Sequence, residues 1–349
     1  MRKLFIGIVA LAALVACSNE SVIEAPDGTI AFGDMFIQNS SSKPMRSAAD
    51  PTYNNETNPL EAFYAWGFME KNTGVVFNKE LVTRTEYGWV YDNLAYWCSF
   101  RTYRFAALAP VNHSNIEIAL ADGDYISNDG GLGTVTFTNL DGTDDLLYAA
   151  TAPIKIADIT AETPAPIQLM FKHLLSKVKF TFVNGFANTY NSVTISNVKM
   201  KVPAKGTVDL TGDINATPAV WSVKEGEESV VLSFGDVTEQ DDESVVVLGP
   251  GADGEALNER LIIPVANPQD INLTYEVTFD MTLYQGDQVA YSATKTAVIA
   301  GESFVAGRAY DIRAVLSKGS LGLHEITFSV AVEPWEEYNV DDKGVTILK

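Results

Sequence analysis

The segment HEITFSVAVEPWEEY, residues 324–338, alternates with a period of two. Ile326, Phe328, Val330 and Val332 are apolar, and Thr327, Ser329, Ala331 and Glu333 between them are small or polar. Successive strand side chains point to opposite faces, so the pattern specifies a β-strand with one apolar face. AYDIRAVLS at 309–317 has the same quality and reads as the closing strand of a domain, after which KGSLG at 318–322 carries the chain away. A one-faced strand beyond a closed domain is either the edge of its own sheet or a piece meant for a neighbour. Pro334, with no N–H to donate, ends the ladder, and Trp335 caps it.

Working back from that strand, most of the chain is short apolar runs split by turn residues, among them GWVY, YRFAALAP, GTVTFTNL, VKFTFVNGF, SVTISNVKMKVP and LTYEVTFDMTLY. Strands at this spacing with few helical periods predict an all-β chain of sandwiches. NPLEAFYAWGFM at 58–69 is the one helix candidate, although its aromatics also suit a strand. The Pro-rich TAETPAPIQ at 160–168 is the best joint, giving an N-terminal sandwich at 28–163 and a C-terminal one at 164–349. In GTIAFGDMFIQ at 28–38, Ile30 and Phe32 share a face; the alternation slips at Gly33-Asp34 and resumes with Met35 and Ile37, the signature of a bulge. The loop that follows, 39–59, has no apolar run and is rich in Ser, Asn and Pro, which predicts an exposed, protease-accessible segment.

At the N-terminus, Arg2 and Lys3 precede the apolar stretch 4–16, which runs straight into Cys17. A basic end and a short apolar run read as a signal peptide, residues 1–16, since a spanning helix needs about 20 residues. Leu14-Val15-Ala16-Cys17 matches a lipobox, so Cys17 becomes the acylated first residue of a short tether, 17–27, that holds the protein on a membrane by its lipid. The formal charge is −21, and losing Arg2 and Lys3 takes it to −23. That acidity argues against nucleic acid as a partner. Of the two cysteines only Cys98 then remains, so no disulfide framework and no cysteine metal site is expected; within LAYWCSF it reads as a small core residue.

Several motifs invite a sharper reading. The aromatics Trp89, Tyr91, Tyr96, Trp97, Phe100, Tyr103 and Phe105 resemble a sugar-stacking platform, but aromatic residues are what sandwich strands bury, so most are expected in the core. Gly249-Pro250-Gly251-Ala252-Asp253-Gly254 fits G-x-G-x-x-G, yet EALNERLIIP after it has no helical period, so a hairpin loop is expected. Asp122-Gly123-Asp124 with Asn128-Asp129 lacks the glycine and the glutamate of a calcium loop, having Ser127 and Gly133 there. His113, His173 and His324 are far apart in sequence and read as structural or surface residues. No catalytic, cofactor or metal constellation emerges, and an enzyme is not expected.

Four features together resemble the fimbrillin family, the subunits of type V pili: the lipobox LVAC; YGWVYDNLAYWCSFRTYRFAALAP at 87–110; IQLMFKHLLSKVKFTF at 167–182 with the following GFANTYNSVTISNVKMKVPAKGTVDL; and RLIIPV with the terminal FSVAVEPWEE. The resemblance implies two transthyretin-like β-sandwich domains in tandem. It also implies export as an outer-membrane lipoprotein precursor and assembly into a cell-surface fimbria. An arginine-directed protease would cut between Arg46 and Ser47, freeing the first strand with its anchors Ile30, Phe32, Met35 and Ile37. The groove so exposed would take the strand 324–335 of a neighbouring subunit, anchored by Ile326, Phe328, Val330 and Val332 and capped by Trp335. The family often has Thr-Arg where this chain has Met45-Arg46. The patterned C-terminus favours a stalk subunit over a tip adhesin, and a host glycan or protein is an open further partner. The alternative is a monomeric surface lipoprotein that binds glycans.

Overall fold

The computed structural model describes residues 28–37, 52–54, 58–70, 74–121, 131–157, 159, 164–186, 191–212, 219–239, 242–245, 247–256, 258–299, 303–317, 328–334, 338–341 and 344–347. The signal peptide, the tether and most of the loop 39–59 lie outside these residues, as do the acidic turn 122–129 and His324.

The chain is almost entirely β. It forms β1 (Phe32–Ile37), β2 (Ala62–Met69), β3 (Gly74–Thr85), β4 (Gly88–Val90), β5 (Thr102–Ala109), β6 (Ile116–Leu120), β7 (Gly133–Thr138), β8 (Leu147–Ala150), β9 (Ile154–Lys155) and β10 (Ile167–His173). There follow β11 (Ser176–Asn184), β12 (Asn191–Pro203), β13 (Lys205–Asp209), β14 (Val220–Ser222), β15 (Ser229–Gly235), β16 (Val237–Glu239), β17 (Asp242–Val245), β18 (Asp253–Ala256) and β19 (Arg260–Ile262). The last are β20 (Tyr275–Gln285), β21 (Gln288–Ile299), β22 (Arg308–Leu316), β23 (Phe328–Pro334), β24 (Tyr338–Asp341) and β25 (Gly344–Ile347), and one 3-10 turn spans Pro268–Ile271.

The first sheet runs in the order β1-β10-β8-β5-β2-β3-β4. Its central strands are buried on both faces. On β2, Phe63 and Ala65 enter one core with Tyr103, Phe105, Leu147 and Phe171. Trp66 and Phe68 enter a second core with Leu108 and Tyr148. Burial on both sides replaces the apolar and polar alternation with a continuous apolar run, which is why 58–69 also resembles a helix. It is a strand from Ala62 to Met69. The second core is shared with the sheet β14-β13-β7-β6 through Val135, Phe137, Val208 and Trp221.

The sheets do not divide at the Pro-rich joint. β10 follows it in sequence, yet pairs with β8 in the first sheet, Lys172 opposite Tyr148 and His173 opposite Leu147. β13 and β14, farther on, extend the sheet that β7 begins. The prolines interrupt pairing locally, but the open edge of β8 recovers the chain immediately after them.

β24 and β25 form a two-stranded sheet, and two larger sheets are β17-β16-β18-β11-β22-β23, with β19 also on β11, and β15-β12-β20-β21. The two larger sheets share a core that includes Phe180, Phe182, Phe234, Phe279 and Ile312. β11 and β22 are parallel from Lys177 opposite Ala309 to Asn184 opposite Leu316. Near the start of β11, Lys177 Nζ lies 3.1 Å from Glu259 Oε2, with both side chains almost fully buried. The run 249–254 is a turn into strand β18, not the start of a helix. It is also not a hairpin, because β16 separates β17 from β18.

β22 does not close its domain. β23 lies antiparallel along its outer side, from Phe328 opposite Ala314 to Pro334 opposite Arg308. Without β23 the N–H and C=O groups on that side of β22 would be an unpaired edge.

Candidate functional site

The strand pair singled out by the sequence, β1 and β23, occupies two sheet edges. β1 runs parallel to β10, with Phe32, Met35, Phe36 and Ile37 opposite Ile167, Leu169, Met170 and Phe171. Two residues of β1 between Phe32 and Met35 oppose one of β10, Gln168, so the expected bulge falls at Gly33-Asp34. Ile30, Phe32 and Ile37 are buried in the first core and Met35 packs against it half-buried. The Phe32 ring sits in an aromatic cage, with centroids 5.4 Å from Phe63, 5.7 Å from Phe77 and 5.9 Å from Tyr91.

The other side of this segment is clasped by the chain after β4. Ile30 N–H donates to Ala95 O at 2.8 Å, and Trp97 N–H donates to Gly28 O at 2.9 Å. Tyr91 Oη donates to Ile30 O. Burial, the larger effect, and the nearby Glu80 charge push the Tyr91 phenol above its ordinary pKa, against the backbone hydrogen bond at Ala95, which lowers it. On the β10 side, Ile167 N–H donates to Ala31 O at 2.7 Å. The segment 28–37 therefore lies in a trough with an aromatic and aliphatic floor, hydrogen-bonded along β10 on one side and at Gly28 and Ile30 on the other. That architecture suits an extended peptide: the walls bond any backbone, and the floor selects alternate side chains.

The last part of the loop is pinned beside the far end of β10. Tyr53 N–H donates to Asp145 Oδ2 at 2.9 Å, and Asn58 Nδ2 donates to Thr52 O at 3.1 Å. Asp145 is itself paired with His173 Nδ1 at 2.8 Å, and both side chains are buried. This anchor has no signature in the sequence, since Tyr53, Asp145 and His173 are distant along the chain and each is an ordinary residue where it stands.

The β23 side is different in kind. Phe328 and Val330 pack half-buried against the core shared with β22, and Ser329 between them is exposed. Val332 lies in the strand at the level of Tyr310. Cys17, Arg46, Ser47, Ile326 and Trp335 lie outside the described residues.

The aromatic group separates by position. Trp97, Tyr103 and Phe105 are core, Trp89 and Tyr91 are half-buried, and Tyr96 and Phe100 are exposed by 54% and 70%. Cys98, expected in the core, is exposed. The segment 94–98 is extended beside Gly28–Ile30, so parity decides: Ala95 and Trp97 turn inward, and Leu94, Tyr96 and Cys98 turn outward, while Phe100 is exposed in the turn that follows, with φ 59°. Among the described residues no group of three or more His, Cys, Asp or Glu side chains is placed to hold a metal ion.

The model of the fimbrillin-like family matches residues 49–335, a span that begins after Arg46 and β1. The chain belongs to the fimbrillin-like family. A solved fimbrial protein from Bacteroides vulgatus ATCC 8482 is 14% identical to this fimbrillin-like chain, with a TM-score of 0.56 over 88% of this chain and 99% of that one. A candidate cell adhesion protein from Parabacteroides distasonis ATCC 8503 is 12% identical, with a TM-score of 0.51 over 88% of this chain and 96% of that one. These likenesses establish a shared fold. No curated protein matches the sequence.

Proposed function

We propose that this chain is a structural subunit of a cell-surface fimbria, of the stalk, that reaches the outer membrane as a lipoprotein on Cys17. Cleavage after Arg46 releases β1, and polymerisation follows by strand exchange, which serves adhesion. One observation carries the reading. The segment that cleavage would release is an edge strand whose buried anchors are Ile30, Phe32 and Ile37, so its departure would leave an apolar trough with unpaired walls. Such a trough demands another strand. The anchor of Tyr53 on Asp145 supports the same reading, because it holds the chain beyond the cut while β1 leaves.

The pairing of β23 with β22 favours a second reading, a tip adhesin or a self-contained surface lipoprotein that binds glycans and keeps its last strand at home. Electron microscopy after brief trypsin treatment separates the two. Filaments from the wild-type chain, and stable monomers from Arg46→Ala, are expected of a stalk subunit. A processed chain that stays monomeric, or assembled fibres whose first residue lies far from Ser47, would overturn the proposal. Cys17→Ala is expected to leave the precursor uncleaved or mislocalised, and continued palmitate labelling of that variant would refute the anchor.

A further inference from the structure

We propose that the outward side of the segment 94–98, with Phe100 in the turn after it, is a lipid-contact face that lies against the bilayer while the chain is anchored there. The inference rests on the reading of Cys17 as the anchor and adds to it the face by which the folded body meets the membrane.

The first observation is composition. Leu94-Ala95-Tyr96-Trp97-Cys98-Ser99-Phe100 holds no charged residue, in a chain with 45 acidic and 24 basic ones. Ala95 and Trp97 serve the core, yet the side turned away from it is apolar as well. Leu94 is 49% exposed, Tyr96 54% and Phe100 70%, and Cys98 is exposed with them. Along the strand such side chains stand about 6.7 Å apart. Apolar residues scattered singly over a surface are ordinary, whereas a group of them marks a place of contact.

The second observation is that the face is held rigid. Phe100, the most exposed large apolar side chain among the described residues, has φ 59°, in the left-handed region that bulky residues rarely adopt. Its turn is tied down on both sides. Phe100 N–H donates to Ala157 O at 3.1 Å, Ile156 N–H to Arg101 O at 2.8 Å and Ile159 N–H to Ser99 Oγ at 3.2 Å. The ring is presented to its surroundings by ordered backbone.

The third observation says what covers the face. Trp97 N–H donates to Gly28 O, and Thr29 bridges Tyr96, so the chain leading back to Cys17 departs beside the middle of the face. Cys17 stands eleven residues before Gly28, a span of at most about 40 Å. With the acyl chains of Cys17 in the bilayer, lipid is always within that reach, and a weak attraction then acts at high effective concentration. Tyrosine suits such a surface, since it places an apolar ring and a polar tip at headgroup level. A carbohydrate would need polar groups converging beside the rings. Asn93, next to the face, is instead engaged with Glu80, its Nδ2 donating to the two carboxylate oxygens at 2.9 and 3.2 Å.

Cys98 supplies the probe. In the mature chain the thiol of Cys17 is blocked by its lipid, so an environment-sensitive fluorophore attached through a maleimide goes to Cys98 alone. The acylated chain, with its lipid adduct verified by intact mass, is reconstituted into phosphatidylcholine vesicles, which carry no net charge to repel an acidic protein. Part of the lipid bears a nitroxide near the headgroup. On the native face the probe is expected to shift to the blue and lose most of its emission to the nitroxide. With Leu94→Ser, Tyr96→Ser and Phe100→Ser together, which leave the buried Trp97 in place, the emission is expected to return to that of the probe in water. An unquenched probe on the acylated native chain overturns the contact face and leaves the anchor standing. Quenching that persists in the triple variant also overturns the face, because the tether alone then accounts for it. A mature chain without a lipid adduct on Cys17 overturns both.

Discussion

Phe32→Ala isolates the attachment of β1 from the stability of the rest of the chain. The ring is 6% exposed and meets three aromatic rings at 5.4 to 5.9 Å. Truncating a buried phenylalanine costs about 3–5 kcal/mol. The lower figure applies here, because an edge strand can move to relieve the cavity. About 3 kcal/mol is roughly a 100-fold rise in the open population of β1 if that strand detaches by itself. Hydrogen exchange read by mass spectrometry on the unprocessed chain measures this directly. The backbone amide of Ile30 and that of Ile167, which donates to Ala31, should exchange about 100-fold faster in the variant. Amides of β11 and β22 should be unchanged. Equal acceleration across β1, β11 and β22 would mean that β1 unfolds only with the whole protein, and the idea of a separable first strand would be refuted. No acceleration anywhere would mean that the cage contributes nothing to holding it.

Other outcomes follow from single contacts. Phe328→Asp should abolish polymerisation while the monomer stays folded by circular dichroism, whereas Ser329→Asp, on the exposed side, should be mild; equal behaviour of the two in a filament assay would remove β23 as the entering strand. Cys98 should react with a maleimide in the native chain as fast as in urea, because it turns outward; protection that disappears on unfolding would return it to the core. Lys177→Ala should destabilise the chain by about 3–5 kcal/mol by leaving Glu259 buried without its ion pair, and Lys177→Met with Glu259→Leu should recover much of that loss in a urea titration. If the double variant is as unstable as the single one, the pair is held there by packing and not by charge.

The strand content and the bulge at Gly33-Asp34 were legible because both depend on local alternation. The ambiguity of 58–69 also had a local cause: a strand at the centre of a two-sided sheet loses its polar face and with it the period that identifies it. Pairing across distance was not legible. Nothing near Pro164 or Pro166 indicates that β10 will return to β8, or that β13 will extend β7. The same holds at the site. The inward positions Ile30, Phe32, Met35 and Ile37 could be read from spacing, but the cage around Phe32 is built from three other segments. The Asp145–His173 pair under Tyr53 joins residues that no motif connects. Cys98 was misplaced because LAYWCSF is apolar on both faces, and only one of those faces meets the core.

The seating of β1 along β10 from Ile167 to Phe171, with Gly28 and Ile30 just before it tied to Trp97 and Ala95, also determines how the strand can be removed by force. Tension applied along the strand axis loads these bonds together, in shear, so none can break without the rest. Tension at one end, across the axis, opens them singly, as a zipper opens. While the chain after Ile37 is continuous, that end is joined through residues 38–51 to the anchored Tyr53. A cut in the loop changes none of the bonds, but it turns a shear-locked strand into one that can peel from its Ile37 end. The cut thus acts on the path of release and leaves the strength of attachment as it was.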